Sequence, residues 1–275
     1  MSWLFYLFRM QKAKKYLKIL AGIYLLIFIA AVVFQRQIAL HPQPLARNFK
    51  YDFEGKIDEF FISPEKNIEL NLLHFHTDRK PKGIVFYLHG NSDNLARWGQ
   101  HAHEFTSRGY DVLMYDFRGF GKSSGSTTEE NLMSDAQFLY EKINLQFPEQ
   151  QIVLYGRSLG TGVATKLAAE NSPKKLILET PYFSLPDLSW SYLPILPYNL
   201  INSFKIPTHE YIQKVRCPIH IFHGTDDGIV LYSQSQKLVN LLKKPQILTT
   251  LQGGHHRELE KFPEYQAKMD ELLRW

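Results

Sequence analysis

The pentapeptide Gly156-Arg157-Ser158-Leu159-Gly160 follows the apolar run IVLY and precedes an alanine-containing stretch of helical character. A G-x-S-x-G turn between strand and helix lifts a serine hydroxyl clear of a sheet edge, where it can act as a nucleophile. A serine hydroxyl is weak at neutral pH, so it needs a base to take its proton and an acid to orient that base. Downstream, HGTDDGIV supplies Asp226 and Asp227 just past a run read as a strand, and GGHHRE supplies His255 and His256 after the next such run. The order serine, carboxylate, histidine is the one expected on a sheet of this kind. Residue type alone leaves the choice open within each pair, and Glu179, at the end of another apolar run, is a further carboxylate in the right kind of place. Acyl chemistry at Ser158 also needs two N–H groups aimed at a developing oxyanion. One belongs to Leu159, which follows the nucleophile; the other must come from the loop His89-Gly90-Asn91 after the first parallel strand.

Such residues work only if a rigid sheet brings its strand ends together. The runs GIVFYL, DVLMY, IVLY, LIL, IHIF and ILTTL begin at Gly83, Asp111, Ile152, Leu176, Ile219 and Ile247. Several are apolar on both faces, and helix-length segments separate them, the pattern of parallel strands covered by helices on each side. The expected fold class is therefore α/β, with Leu70 to Phe75 in an antiparallel hairpin at the leading edge. Residues 181–214 break the pattern. Five prolines among Tyr182, Phe183, Trp190, Tyr192, Tyr198 and Phe204 make this segment too long and too apolar for a plain loop, and it reads as a small lid. An amphipathic helix is expected from Pro263 to Arg274, its proline tolerated in the first turn.

Of the 275 residues, 44% are apolar and 21% charged, as in an ordinary globular protein, and the formal net charge is +5. Five positives (Arg9, Lys12, Lys14, Lys15 and Lys18) fall within the first 18 residues and no acid occurs before Asp52; without those five the remainder is neutral. A nucleic-acid-binding domain carries its excess on the folded body, and no nucleic-acid partner is expected. Residues 19–34, ILAGIYLLIFIAAVVF, are unbroken apolar chain and approach a bilayer crossing once the flanking residues and a snorkelling Lys18 are counted. No small-x-small cleavage site follows, which argues against a removed leader. The expected organisation is a basic tail over 1–18, a single-pass anchor over 19–36, a proline-containing linker over 37–50 and a catalytic domain over 51–275. The basic flank puts the tail on the cytoplasmic side and the domain on the other. Cys217 is the single cysteine, so no intrachain disulfide can form.

Two other signals are weaker. The 11 histidines include His74/His76 and His101/His103, but no H-E-x-x-H pattern occurs, and a His-x-His pair with no third ligand nearby in sequence belongs more often to packing than to a metal site. Asp116-Phe117-Arg118-Gly119-Phe120-Gly121 lacks the full glycine fingerprint of a dinucleotide site, and its expected role is to fix a loop. No cofactor and no metal is expected.

Taken together, FQRQIALHPQP after the anchor, YLHGNSDN, YDFRGFGKSSG, YGRSLGTGVA, ETPYFSLPDL, HGTDDGIV and GGHH resemble the α/β-hydrolase superfamily, and within it the membrane-anchored abhydrolase-domain serine hydrolases, over about residues 30 to 274. The resemblance implies an α/β-hydrolase fold with a lid. Its H-G-x-x-D-x-x-V pattern selects Asp227, its G-G-H pattern selects His255, and its oxyanion loop selects Asn91 beside Leu159, with Ser92 as the alternative. His89 is then a brace for that loop. The expected activity is hydrolysis of an acyl ester, from a lipid or a small molecule, through a Ser158-His255-Asp227 triad and an acyl-enzyme. Serine at the elbow argues against dehalogenase and epoxide-hydrolase chemistry. Peptide or thioester cleavage on the same fold is the nearest alternative, and a catalytically inactive, membrane-tethered binding protein is the rival from another class. Oligomeric state is not legible.

Overall fold

In the computed structural model, which describes residues 2–274, helix α1 (Ser2–Ala39) leads into strands β1 (Ile57–Ile62), β2 (Leu70–Phe75), β3 (Ile84–Leu88), β4 (Asp111–Tyr115) and, after helix α2 (Glu129–Asn144), β5 (Ile152–Arg157). Then come α3 (Leu159–Glu170), β6 (Lys175–Glu179), α4 (Leu185–Tyr192), α5 (Tyr198–Ile201), α6 (Thr208–Ile212), β7 (Ile219–Gly224), α7 (Tyr232–Leu242), β8 (Leu248–Leu251) and α8 (Pro263–Leu272). The strands form one sheet in the order β8-β7-β6-β5-β3-β4-β2-β1. Only β2 runs antiparallel to its neighbours β1 and β4; the other pairs are parallel. The antiparallel leading edge and the parallel body agree with the sequence expectation of an α/β-hydrolase fold.

Every residue of β3, β4 and β5 is buried, so the sheet needs cover on both faces. One face packs Leu132, Leu139, Val163 and Leu238 of α2, α3 and α7. The other packs Leu95, Trp98 and Phe105 of two short helical turns, with Tyr265 and Met269 of α8. Helix α2 starts where Thr128 and Asn131 cap each other's backbone N–H groups.

Residues 181–214 fold as α4, α5 and α6 over the end of the sheet that carries the elbow. Ser184 caps α4 by accepting from Asp187 N–H, and the Glu129 carboxylate accepts from the N–H groups of Lys205 and Ile206, tying this segment to α2.

Helix α1 runs without a break through both the basic residues and the apolar run, and it is the one helix among the described residues long and apolar enough to cross a membrane. Its C-terminal end is fastened to the domain. Arg36 Nη2 donates to Thr127 O at 2.9 Å, and Gln35 Oε1 accepts from Ser203 N at 2.6 Å and from Ser203 Oγ at 3.0 Å. Beyond it, His41–Pro42 pair in parallel with Ser92–Asp93, and Leu45 N donates to Gly121 O at 2.8 Å. Of residues 37–50, read as a linker, 37–39 continue α1, and beyond them the backbone of His41 and Leu45 is hydrogen-bonded to the domain.

Candidate active site

Ser158 sits between β5 and α3 with φ 51° and ψ −118°, a backbone conformation that non-glycine residues rarely occupy and that surrounding structure must hold in place. The flanking glycines are steric necessities. A Cβ on Gly160 would lie 2.0 Å from Leu88 O, and one on Gly156 would lie 2.6 Å from Gly160 O. The turn is locked by Ser158 N donating to Glu179 O at 3.0 Å on the neighbouring strand.

His256 Nε2 lies 3.1 Å from Ser158 Oγ, and His256 Nδ1 lies 2.8 Å from Asp227 Oδ2. With Nδ1 protonated, the ring donates to the carboxylate and presents Nε2 to accept the serine proton. It is His256, and not the His255 expected from the sequence, that the structure places against Ser158 and Asp227. Gly254 is consumed in the crossing of β7: its carbonyl accepts from Asp226 N at 2.9 Å, and it leaves no room for a Cβ on Gly224. His255 then points outward, exposed, with Nδ1 3.0 Å from Asp226 O. The next side chain along this non-helical stretch points inward, and it belongs to His256.

Asp227, at the end of β7, is fixed at both oxygens. Oδ1 accepts from Ile229 N and Val230 N, each at 2.8 Å, while Oδ2 meets His256 and lies 3.2 Å from His223 Nε2. Burial alone would raise its pKa. Hydrogen bonds from His223 and His256, the charge of His256 and the Val230 N–H outweigh burial and hold the carboxyl well below the usual range, so it remains an anion. Asp226 instead accepts from the Thr225 hydroxyl at 2.9 Å. His223, the leading histidine of HGTDDGIV, marks the position of Asp227 in the sequence, but its contact with that carboxylate is not legible there. It also lies 2.8 Å from Val230 O and 2.6 Å from Ser235 Oγ.

Glu179, the other carboxylate considered, is engaged elsewhere. Arg157 Nε lies 3.1 Å from Glu179 Oε1, Tyr155 OH donates to Oε2, and Tyr155 OH lies 2.9 Å from Tyr265 OH. Arg157 also stands over the Trp98 ring and donates to His101 Nε2 at 3.2 Å. This buried network behind the nucleophile was not read from the sequence.

Leu159 is the first residue of α3, where an N–H has no intrahelical carbonyl to meet. It lines an apolar pocket together with Ser158 and Asn91. Asn91 is anchored on both sides: its Nδ2 donates to Ala39 O at 2.8 Å and its carbonyl accepts from His41 N at 2.8 Å. Ser92 instead pairs with His41 in the short parallel ladder. His89 is fully buried, with Nδ1 2.7 Å from Gly90 O and its ring 4.1 Å from that of Phe117. Asp116 Oδ1 accepts from Leu95 N at 3.0 Å, but Arg118 pairs bidentately with Asp135 instead of with local backbone. The His74/His76 pair does find a third donor, Asp111 on β4. The Asp111 Oδ2 atom lies 3.0 Å from His74 Nε2 and 3.6 Å from His76 Nδ1, and the three donor atoms fit within a 4.8 Å span that could hold a metal ion.

Residues 79–206 match the family model described as serine aminopeptidase, S33. The chain is 30% identical to the lysophosphatidylserine lipase ABHD12 of Danio rerio, covering 78% of this chain and 69% of that one. It is 29% identical to the Rattus norvegicus protein of the same name, covering 69% of this chain and 55% of that one. Among solved structures, an esterase of Pyrococcus furiosus superposes with a TM-score of 0.64 at 22% identity, over 85% of this chain and 96% of the other. A monoglyceride lipase of Saccharomyces cerevisiae does so with a TM-score of 0.60 at 15% identity, over 82% and 98%. These two share the fold.

Proposed function

The chain belongs to the abhydrolase-domain family of α/β hydrolases that includes the lysophosphatidylserine lipases and is an ester hydrolase of the serine type, and from this we propose that Ser158, His256 and Asp227 are its catalytic triad, acting on single-chain lipid esters at a membrane surface. The observation that carries the reading is the hydrogen-bonded chain Asp227–His256–Ser158 at the inner end of an apolar pocket.

In this reading Ser158 Oγ attacks the ester carbonyl while its proton passes to His256 Nε2, and Asp227 stabilises the imidazolium without taking the proton itself. The oxyanion is received by the N–H groups of Leu159 and Asn91. Collapse breaks the bond to the alcohol, which leaves with the proton from His256. Water then attacks the acyl-serine, again deprotonated by His256, and releases the carboxylic acid and free Ser158. The pocket has a volume of about 630 Å³, within the range of small-molecule sites, and its lining contains no Asp, Glu, Lys or Arg. A peptide's terminal ammonium would find no counter-ion there, which favours an acyl chain over the peptide substrate suggested by the family model's description. Helix α1 serves as the anchor, with its basic residues on the cytoplasmic side and the domain on the other.

The test is fluorophosphonate labelling of the full chain together with hydrolysis of p-nitrophenyl esters of increasing length, thioesters, lysophospholipids and aminoacyl amides. Labelling lost in Ser158→Ala, and highest turnover on long acyl esters, is the expected result. Equal labelling of wild type and Ser158→Ala would overturn the assignment, and preference for aminoacyl amides would replace the lipid reading.

A further inference from the structure

The pocket over Ser158 has walls of two origins. Leu188 and Tyr192 of α4 and Leu196 form one side, but the facing side is made by the anchor helix itself, through Ile27, Ala30, Ala31, Phe34 and Ile38 of α1. This contact is regular. Ile27, Ala31, Gln35 and Ala39, spaced four residues apart, are partly shielded; Ala30, Phe34 and Ile38 line the pocket while still exposed, whereas Val32 and Val33 are exposed and outside its lining. Gln35 and Arg36 hold the helix against the domain through Ser203 and Thr127, so the wall is built into the structure. From Ile27 to Ile38 the wall is about 17 Å long at 1.5 Å per residue, close to the roughly 15 Å depth of hydrocarbon in one leaflet.

Resting on the lipid-ester reading above, we propose that α1 is a substrate-binding element as well as a tether: the acyl chain lies in the groove between α1 and α4, and reaches it sideways from the leaflet in which residues 27–34 sit. The occupant is one unbranched acyl chain. Its ester carbonyl stands at Ser158, at the level of Gln35 to Ala39, and its methyl end extends toward Ile27. The lining is mostly apolar along this length, with Gln35, Ser189 and Asn202 among its few polar side chains, so the chain exchanges lipid neighbours largely for side chains of similar polarity and needs no passage through water. Ala30 and Ala31 leave the space the chain occupies; bulk at these positions shortens the groove, making this face of the helix a determinant of acyl-length preference.

The experiment uses the full chain in detergent micelles or nanodiscs, with p-nitrophenyl esters from acetyl to palmitoyl. Ala31→Trp and Ala30→Trp fill the groove, while Val33→Trp places the same ring on a face that does not line it. The expected result is a fall of at least about tenfold in kcat/KM on palmitoyl ester for the two alanine variants, with acetyl ester within about twofold of wild type and the optimum moved to shorter chains. Val33→Trp should keep the wild-type profile. Fluorophosphonate labelling of Ser158 in each variant reports that the site is still assembled. Chain-length profiles of Ala31→Trp and Ala30→Trp indistinguishable from those of Val33→Trp and wild type would overturn the proposal while leaving the ester reading intact. Absence of labelling and of ester turnover in the wild type would remove that reading, and the proposal with it.

Discussion

Two neighbouring histidines and two neighbouring aspartates separate the roles at the residue scale. Replacing His256 by Ala, or Asp227 by Asn, should lower kcat/KM by about 10⁴, the order seen when a serine triad loses its base or its orienting acid. His255→Ala and Asp226→Asn should stay within about tenfold of wild type, because His255 faces solvent and Asp226 is satisfied by Thr225. Comparable losses in both members of either pair would contradict the geometry. Much of this was legible: residue type left the two aspartates open, and the H-G-x-x-D-x-x-V pattern of the family that the chain resembles singled out Asp227, which the fold hydrogen-bonds to a histidine. The histidine itself was misread by one position, because the inward side chain depends on where the glycine turn after β8 passes under β7, a tertiary fact absent from GGHH. Buried histidines also set a pH dependence. Burial lowers His89 to about 4, and burial with the charges of Arg157 and Arg97 lowers His101 to about 3. Unfolded, both titrate near 6.5. Below that value the unfolded chain takes up protons that the folded one refuses, so stability falls as pH drops from about 6.5 toward 4, by up to about 1.4 kcal/mol per pH unit for each group. Thermal unfolding at pH 7.5 and 5 should show the loss, and His101→Gln should reduce it; an unchanged slope in that variant would assign the effect elsewhere.

At the scale of elements, the elbow is where strand, helix and loop come closest. Gly160→Ala would drive a Cβ into the carbonyl of Leu88 and within 2.7 Å of His89 O, backbone that carries the Asn91 loop. Stability should fall by about 3 kcal/mol or more, and probe labelling should fall with it. Gly228→Ala, with nothing within 4 Å of its added carbon, serves as the control and should match wild type in denaturant midpoint. The strands were readable because continuous apolar runs have few other uses in a chain of this composition. The edge strand β1, IDEFFI, was less so, since its half-exposed faces mix acids with aromatics. The interior of residues 181–214 was opaque for a different reason: three short helices separated by prolines have no period of their own, and what places them is tertiary, α6 resting on α3 while the Glu129 carboxylate of α2 holds the backbone of Lys205 and Ile206.

For the molecule as a whole, the boundary between helix α1 and the domain was the hardest feature to see. An apolar helix facing lipid and one facing an acyl pocket need the same side chains, so composition cannot tell the two apart, and the docked face of α1 emerges only once the domain is folded beside it. Asn91 shows what this means in practice. Its side chain holds the last carbonyl of α1 and its own carbonyl accepts from the N–H of His41, two residues beyond the helix. A water-soluble version of the enzyme trimmed at the apparent domain boundary near Tyr51 would therefore discard both partners of the residue assigned to the oxyanion. An excision upstream of Gln35 keeps both partners, together with the contacts of Gln35 and Arg36 to Ser203 and Thr127.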